Sequence, residues 1–161
     1  MEAYVTVKSN TKAEVYREII PQIKSLVEGE HDLVANLGNT SSALKVAFPM
    51  VSWVGFYLLQ NGELVLGPFQ GKPACVRIAM GKGVCGTAAQ NKSTLIVPNV
   101  DEFQGHIACD PDSKSEIVVP LLKGSQLLGV LDLDSSAFNT FDTTDQHYLE
   151  ELCAWLCDSI F

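Results

Sequence analysis

The 161-residue sequence contains no run of 18 apolar residues, no low-complexity tract and no repeat of solenoid length. The first absence excludes an apolar membrane-spanning helix, and the other two exclude fibrous and repeat architectures. Basic residues are scarce, with 11 Lys and Arg against 19 Asp and Glu and a formal net charge of −8. With an isoelectric point near 4.7, that balance argues against nucleic acid or an anionic membrane as partner. The opening stretch MEAYVTVKSNTKAEVYREII lacks the apolar segment of a secretory signal. The expectation is a cytoplasmic chain, with a nucleus open to it by passive entry, in which the sequons at Asn39 and Asn91 are chance matches. Five cysteines, an odd number, do not read as a structural disulfide framework in a reducing compartment.

What is present is an apolar fraction of 47% and a length that suits one domain. TKAEVYREIIPQIKSLVEG has helical spacing, with Pro21 as a kink or restart. HDLVANLGNTSSALKVAF gives a second helix with a weak point at Gly38. VSWVGFYLLQ and ELVLGPF flank Asn61-Gly62, a type I′ hairpin signal. ACVRIAM and TLIVPNV read as strands around a Gly-rich turn and a short helix near VCGTAAQ, and EIVVPLL and QLLGVLDLD as a second hairpin around Gly124. The tail is a helix with capping-box spacing at Thr143 and Gln146 and an apolar stripe of Leu149, Leu152, Leu156 and Ile160. These elements predict a single α+β domain over 1–161: a helical region (1–48), an antiparallel sheet with site-bearing loops (49–141) and a C-terminal helix (142–161).

Two glycine motifs suggest phosphate loops. GKGVCG matches G-x-G-x-x-G at Gly81, Gly83 and Gly86, with Asp101 about 20 residues on. A parallel crossover needs a dozen or more residues, and only a short helix fits before TLIVP. The better reading is glycines that permit a tight backbone around a pocket. GPFQGK fails as a P-loop, because its spacing is short and Pro73 stands where Ser or Thr is required.

Cys153 and Cys157, four apart on the tail helix, read as buried packing rather than as a disulfide. Cys75, Cys85 and Cys109 lie beside Gly, Pro, His or Asp and read as loop-borne. Gaps of ten and twenty-four, with only His106 nearby, are poor spacing for a structural zinc site. Thiol redox chemistry needs an attacking cysteine and a second that reaches the resulting sulfenic acid, and this trio supplies both.

WVGFY, LGPFQGKPAC, GKGVCGTAA, GHIACD, SEIVVPL and LGVLDLDS, taken in order, resemble the free methionine-(R)-sulfoxide reductases, single-domain enzymes of the GAF fold. The resemblance runs from about Trp53 to the C-terminal helix, and Cys153 and Cys157 stand outside its motifs. It implies thiol-dependent reduction of free L-methionine (R)-S-oxide, with Cys109 as nucleophile, Cys75 as resolving thiol and Cys85 as alternative or relay. It also implies thioredoxin, fed by NADPH, as external reductant, no bound cofactor or metal, and a homodimer formed through the terminal helices.

The residues fit that chemistry. Sulfoxide oxygen must gain a proton as the S–O bond weakens. Glu116, opening an apolar strand, is the candidate acid, because burial and neighbouring carboxylates would raise its pKa; the alternative is a solvated strand end. Asp132 and Asp134 share one strand face, where two carboxylates call for a cation such as the α-ammonium of a free amino acid; a solvated strand end is again the alternative. Trp53 and Tyr57, also on one face, suit the S-methyl group or core packing. Backbone N–H groups of 105–109 are candidates for the substrate carboxylate, and His106 for shaping that loop.

The register of the second hairpin decides whether Glu116 joins the aspartates. A two-residue turn at Gly124 and Ser125 places it opposite Leu133, facing away. A three-residue turn including Lys123 places it opposite Asp132, so the role requires that longer turn or a bulge. The competing functional class is a non-catalytic GAF module that binds a small ligand, or a redox sensor that switches by disulfide. Such sensors usually carry an output domain, for which 161 residues leave no room.

Overall fold

The computed structural model describes residues 4–161. Helix α1 (Lys12–Val27) runs through Pro21 without a restart. Ile19, Ile20, Ile23 and Val27 are buried along it, and that packing offsets the hydrogen bond a proline removes. Helix α2 (Leu33–Ala47) is capped by Asp32, whose carboxylate accepts from the Ala35 N–H at 2.8 Å, and it continues past Gly38.

Strands β1 (Trp53–Gln60) and β2 (Glu63–Gln70) form the first hairpin. Asn61 and Gly62 both take positive φ, 52° and 84°, as a type I′ turn requires. Strand β3 (Arg77–Ala79), helix α3 (Gly83–Asn91) and strand β4 (Leu95–Val97) follow. Strands β5 (Ser115–Lys123) and β6 (Gln126–Ser135) make the second hairpin, and helix α4 (Thr143–Ile160) closes the chain. The six strands pair in the order β3-β2-β1-β6-β5-β4, and every pairing is antiparallel. An antiparallel sheet has no βαβ unit, so GKGVCG is not a dinucleotide fingerprint. Its glycines instead fit α3 against β3: Gly83 has a φ of 60°, and a Cβ at Gly86 would strike the Ala79 carbonyl.

Alternation along the strands builds two cores. Val54, Phe56, Ile117, Val119, Leu131 and Leu133 face α1, α2 and α4. Trp53, Tyr57, Val118 and Val130 face α3 and the loops. The two terminal helices therefore occupy one side of the sheet and leave the other for a site.

Helix α4 starts one residue earlier than its sequence suggests. The capping box is Asp142 with Asp145, not Thr143 with Gln146. Asp145 is fixed there because its carboxylate also accepts from the Tyr16 hydroxyl at 2.6 Å and the Lys12 ammonium at 2.6 Å. Leu156 is fully buried and Trp155 partly so, so this stripe is used within the chain. Among the described residues no helix is long and apolar enough to cross a membrane.

The β5–β6 hairpin resolves the register. Its turn has two residues, because Lys123 pairs with Gln126. Leu122 pairs with Leu127 but Leu121 pairs with Gly129, so a bulge shifts everything beyond by one position. Glu116 thus lies opposite Asp134, on the same face as Asp132.

Candidate active site

The cleft lies between the sheet, α3 and the 103–114 loop, with about 590 Å³ of empty space including its open mouth. Its floor is polar. Asp132 and Asp134 project from β6, and Glu116 from β5, an interior strand, so Glu116 is not a solvated end. Glu116 and Asp132 are each 5% exposed. Ser113 donates to Asp134 Oδ1 at 2.9 Å. Asp132 Oδ1 is buried with no hydrogen-bond partner among the described residues.

Cys85 is not loop-borne. It sits in the first turn of α3, whose approach to β3 buries it. Its Sγ lies 3.3 Å from Asp132 Oδ2 and 3.9 Å from Glu116 Oε1. One thiol proton serves only one of these acceptors at a time. His106 reaches the same carboxyl, with Nε2 3.8 Å from Glu116 Oε2.

Burial sets the protonation of this floor. It pushes the Glu116 carboxyl well above the usual range, and the charges of Asp132 and Asp134 push it further. Burial raises Asp132 to about 6. Asp134 is raised by burial and then by the Asp132 charge, and the Cys85 thiol is raised by burial and both neighbouring carboxyls. Burial lowers His106, which is therefore neutral. Burial thus favours a held proton on Glu116, and no Lys or Arg among the described residues pairs with the floor.

The walls are aromatic and they carry the thiols. Trp53 and Tyr57 stack at 6.0 Å between centroids and serve both readings of them, lining the cleft and packing in the core. The Trp53 indole N–H donates to the Lys72 carbonyl at 3.0 Å, and the Tyr57 hydroxyl donates to the Cys75 carbonyl at 2.8 Å. These two bonds fix segment 72–75 beside the loop that carries Cys109. Cys75 and Cys109 are joined as a disulfide, with Cα atoms 5.7 Å apart. Cys109 lines the cleft, with Cys75 behind it. Cys153 and Cys157 are buried in the opposite core, away from these thiols.

Lys72 is a feature that sequence reasoning passed over. Its ammonium bridges Asp112 at 2.8 Å and Asp110 at 3.3 Å, clasping the 72–75 segment to the Cys109 loop. Its one signal was its place in GPFQGKP, beside the cysteine it helps to align.

A compact α+β domain with a ligand-sized cleft on the loop-bearing face of an antiparallel sheet defines the class, and residues 33–160 match the family model described as GAF domain. GAF domain-containing protein A of Dictyostelium discoideum is 52% identical over 91% of this chain and 92% of its own. Free methionine-R-sulfoxide reductase of Escherichia coli is 47% identical, covering 90% of this chain and 88% of its own. The X-ray structure of free methionine-R-sulfoxide reductase from Neisseria meningitidis, in complex with its substrate, superposes with a TM-score of 0.95. That protein is 48% identical, over 98% of this chain and 95% of its own. The chain belongs to the GAF domain family, and within it to the free methionine-R-sulfoxide reductase family.

Proposed function

We propose that the chain reduces free L-methionine (R)-S-oxide to L-methionine, with Cys109 and Cys75 as its redox pair. The observation that carries this reading is the placement of the Cys75–Cys109 bridge at a cleft whose buried carboxyl floor has one oxygen unpartnered. In the reduced enzyme Cys109 attacks the sulfoxide sulfur while Glu116 gives its proton to the leaving oxygen. The departed oxygen, now water, adds to Cys109 Sγ as the bond from Sγ to the substrate sulfur breaks, so that methionine leaves, Cys109 is left as a sulfenic acid, and one proton returns to Glu116. The Cys75 thiol then attacks Cys109 Sγ, forming the disulfide and releasing water. An external dithiol of the thioredoxin class, itself reduced at the expense of NADPH, returns both thiols. The sum is sulfoxide plus two thiols giving thioether, disulfide and water, with no bound cofactor.

Asp132 and Asp134 receive the substrate ammonium, Trp53 and Tyr57 hold the S-methyl end, and backbone N–H groups of the 105–109 loop take the carboxylate. Recognition of both charged ends favours a free amino acid over an internal peptide residue, which has neither. Cys85, hydrogen-bonded to the floor, acts as relay thiol. A cytoplasmic setting suits a cycle that needs reduced thiols. Pairing through terminal helices would leave the cleft open, because those helices pack on the other face of the sheet.

The test supplies racemic free methionine sulfoxide with thioredoxin, thioredoxin reductase and NADPH. NADPH loss that stops at half the substrate, with the S epimer remaining and no loss with Cys109→Ser, supports the reading. No consumption by folded, reduced protein overturns it in favour of a ligand-binding sensor.

A further inference from the structure

We infer that the floor of the cleft is also a site for a thiophilic divalent cation of the Zn²⁺ class, ligated by Cys85, Glu116 and Asp132 in competition with the substrate ammonium. One ligand atom from each of these residues lies within 4.8 Å of the other two. A tetrahedral zinc with Zn–S of about 2.3 Å and Zn–O of about 2.1 Å sets its sulfur and oxygen ligands about 3.6 Å apart. Cys85 Sγ stands 3.3 Å from Asp132 Oδ2 and 3.9 Å from Glu116 Oε1, on either side of that value. The three residues come from α3, β5 and β6, so elements packed in the core hold them at this spacing.

The second, independent observation is Asp132 Oδ1, an oxygen without a hydrogen-bond partner among the described residues, on a side chain that is 95% buried, given its 5% exposure. Such an orphan calls for a cation or a donor at that point. One thiolate with two carboxylates suits Zn²⁺ or Co²⁺, whereas Mg²⁺ and Ca²⁺ prefer all-oxygen sets. The three residues leave the remaining coordination position to solvent or to a ligand. Binding releases the Cys85 proton, and any carboxyl proton, to solvent. No electron is transferred. Metal coordination stands on this geometry alone, and the competition rests on the reading given under Proposed function.

The experiment titrates the oxidised protein with Co²⁺ in buffer free of thiols and chelators, following the near-ultraviolet thiolate-to-cobalt charge-transfer band. Oxidation removes Cys75 and Cys109 as ligands, leaving Cys85, Cys153 and Cys157. A band saturating at one Co²⁺ per chain is expected, kept in the Cys153→Ser/Cys157→Ser double variant, lost in Cys85→Ser and bleached by Zn²⁺. Asp132→Asn, which keeps the thiol and the side-chain volume, should raise the apparent Co²⁺ dissociation constant at least tenfold. Free methionine sulfoxide should raise it in proportion to its own concentration. Absence of the band, its survival in folded Cys85→Ser, or an unchanged affinity in Asp132→Asn overturns the site. A band indifferent to methionine sulfoxide, in protein that turns the sulfoxide over, overturns the competition. If the protein has no reductase activity, the Cys85-dependent band still decides the metal site.

Discussion

Glu116 stands directly across from Asp134 on neighbouring antiparallel strands, although the hairpin between them turns through only Gly124 and Ser125. The bulge that leaves Leu128 unmatched makes this possible. Gly129 beside it lets β1 approach, since a Cβ there would strike the Tyr57 carbonyl. A regular hairpin would turn Glu116 into the helical core opposite Leu133 and swing Ile117 out to the cleft. On the cleft side, burial and two aspartates push its carboxyl well above the usual range and favour its protonated form.

That placement makes Glu116→Gln a test of proton donation separate from binding. Gln keeps the shape and a hydrogen-bond donor but has no acidic proton. Turnover should fall by about 10²-fold or more, the range of general acid catalysis. Binding of methionine sulfoxide, measured by calorimetry on Cys109→Ser backgrounds with and without the change, should move only a few-fold. A kcat close to wild type would remove Glu116 from the chemistry.

Asp132 carries a stability cost in the empty cleft, one that the substrate ammonium relieves under the proposed function. Its carboxyl titrates near pH 6 in the fold against 3.8 in the unfolded chain, chiefly because it is buried. Between those values the unfolded state is ionised while the folded state keeps the proton, so stability falls as pH rises across this window and levels off above it. Asp132→Asn removes the penalty. Its melting temperature at pH 8, without ligand, should exceed wild type by roughly 2–4 °C, the shift that about 1 kcal/mol produces in a domain of this size. The same variant should lose most of its affinity for methionine sulfoxide. Equal melting temperatures would show that the carboxylate is not strained in the empty cleft.

The proposed cycle separates the cysteines by stage. Cys109→Ser should release no methionine. Cys75→Ser, mixed once with substrate in the absence of reductant, should release one methionine per chain and leave a sulfenic acid that dimedone labels. Its turnover with thioredoxin should fall steeply, and a steady-state rate equal to wild type would assign resolution to another thiol such as Cys85.

Local features of the fold were legible because local chemistry decides them. Asn61-Gly62 can take two positive φ angles at little cost, so the first hairpin follows from the dipeptide and its flanking strands. The stripe of Leu149, Leu152 and Leu156 declares α4. Long-range placements were not legible. Whether Thr143 or Asp142 caps α4 depends on Lys12 and Tyr16, more than 120 residues away. The bulge at Leu128 depends on how β6 packs against β1, and pattern alone left two turn lengths open. Cys85 looked loop-borne because its flanking glycines read as a turn, whereas Gly86 serves to press α3 onto β3. The Lys72 clasp escaped notice because a lysine beside proline reads as solvated surface, and its partners Asp110 and Asp112 lie 38 and 40 residues on.

The hydrogen bond from the Tyr57 hydroxyl to the Cys75 carbonyl, 2.8 Å long, yields a prediction about rate rather than affinity. Burial keeps that phenol protonated, and so a donor. Tyr57→Phe retains the ring that stacks on Trp53 but frees the segment carrying Cys75. A hydrogen bond of this kind is worth about 1 kcal/mol net, or roughly fivefold in the fraction of chains with Cys75 in place. Rapid-quench release of the first methionine should therefore be unchanged, because Cys109 and Glu116 are untouched. The sulfenic acid should persist about fivefold longer before the disulfide closes, as followed by dimedone trapping over time. A slower release of the first methionine with normal disulfide closure would place the Tyr57 hydroxyl at the substrate instead of at the resolving thiol.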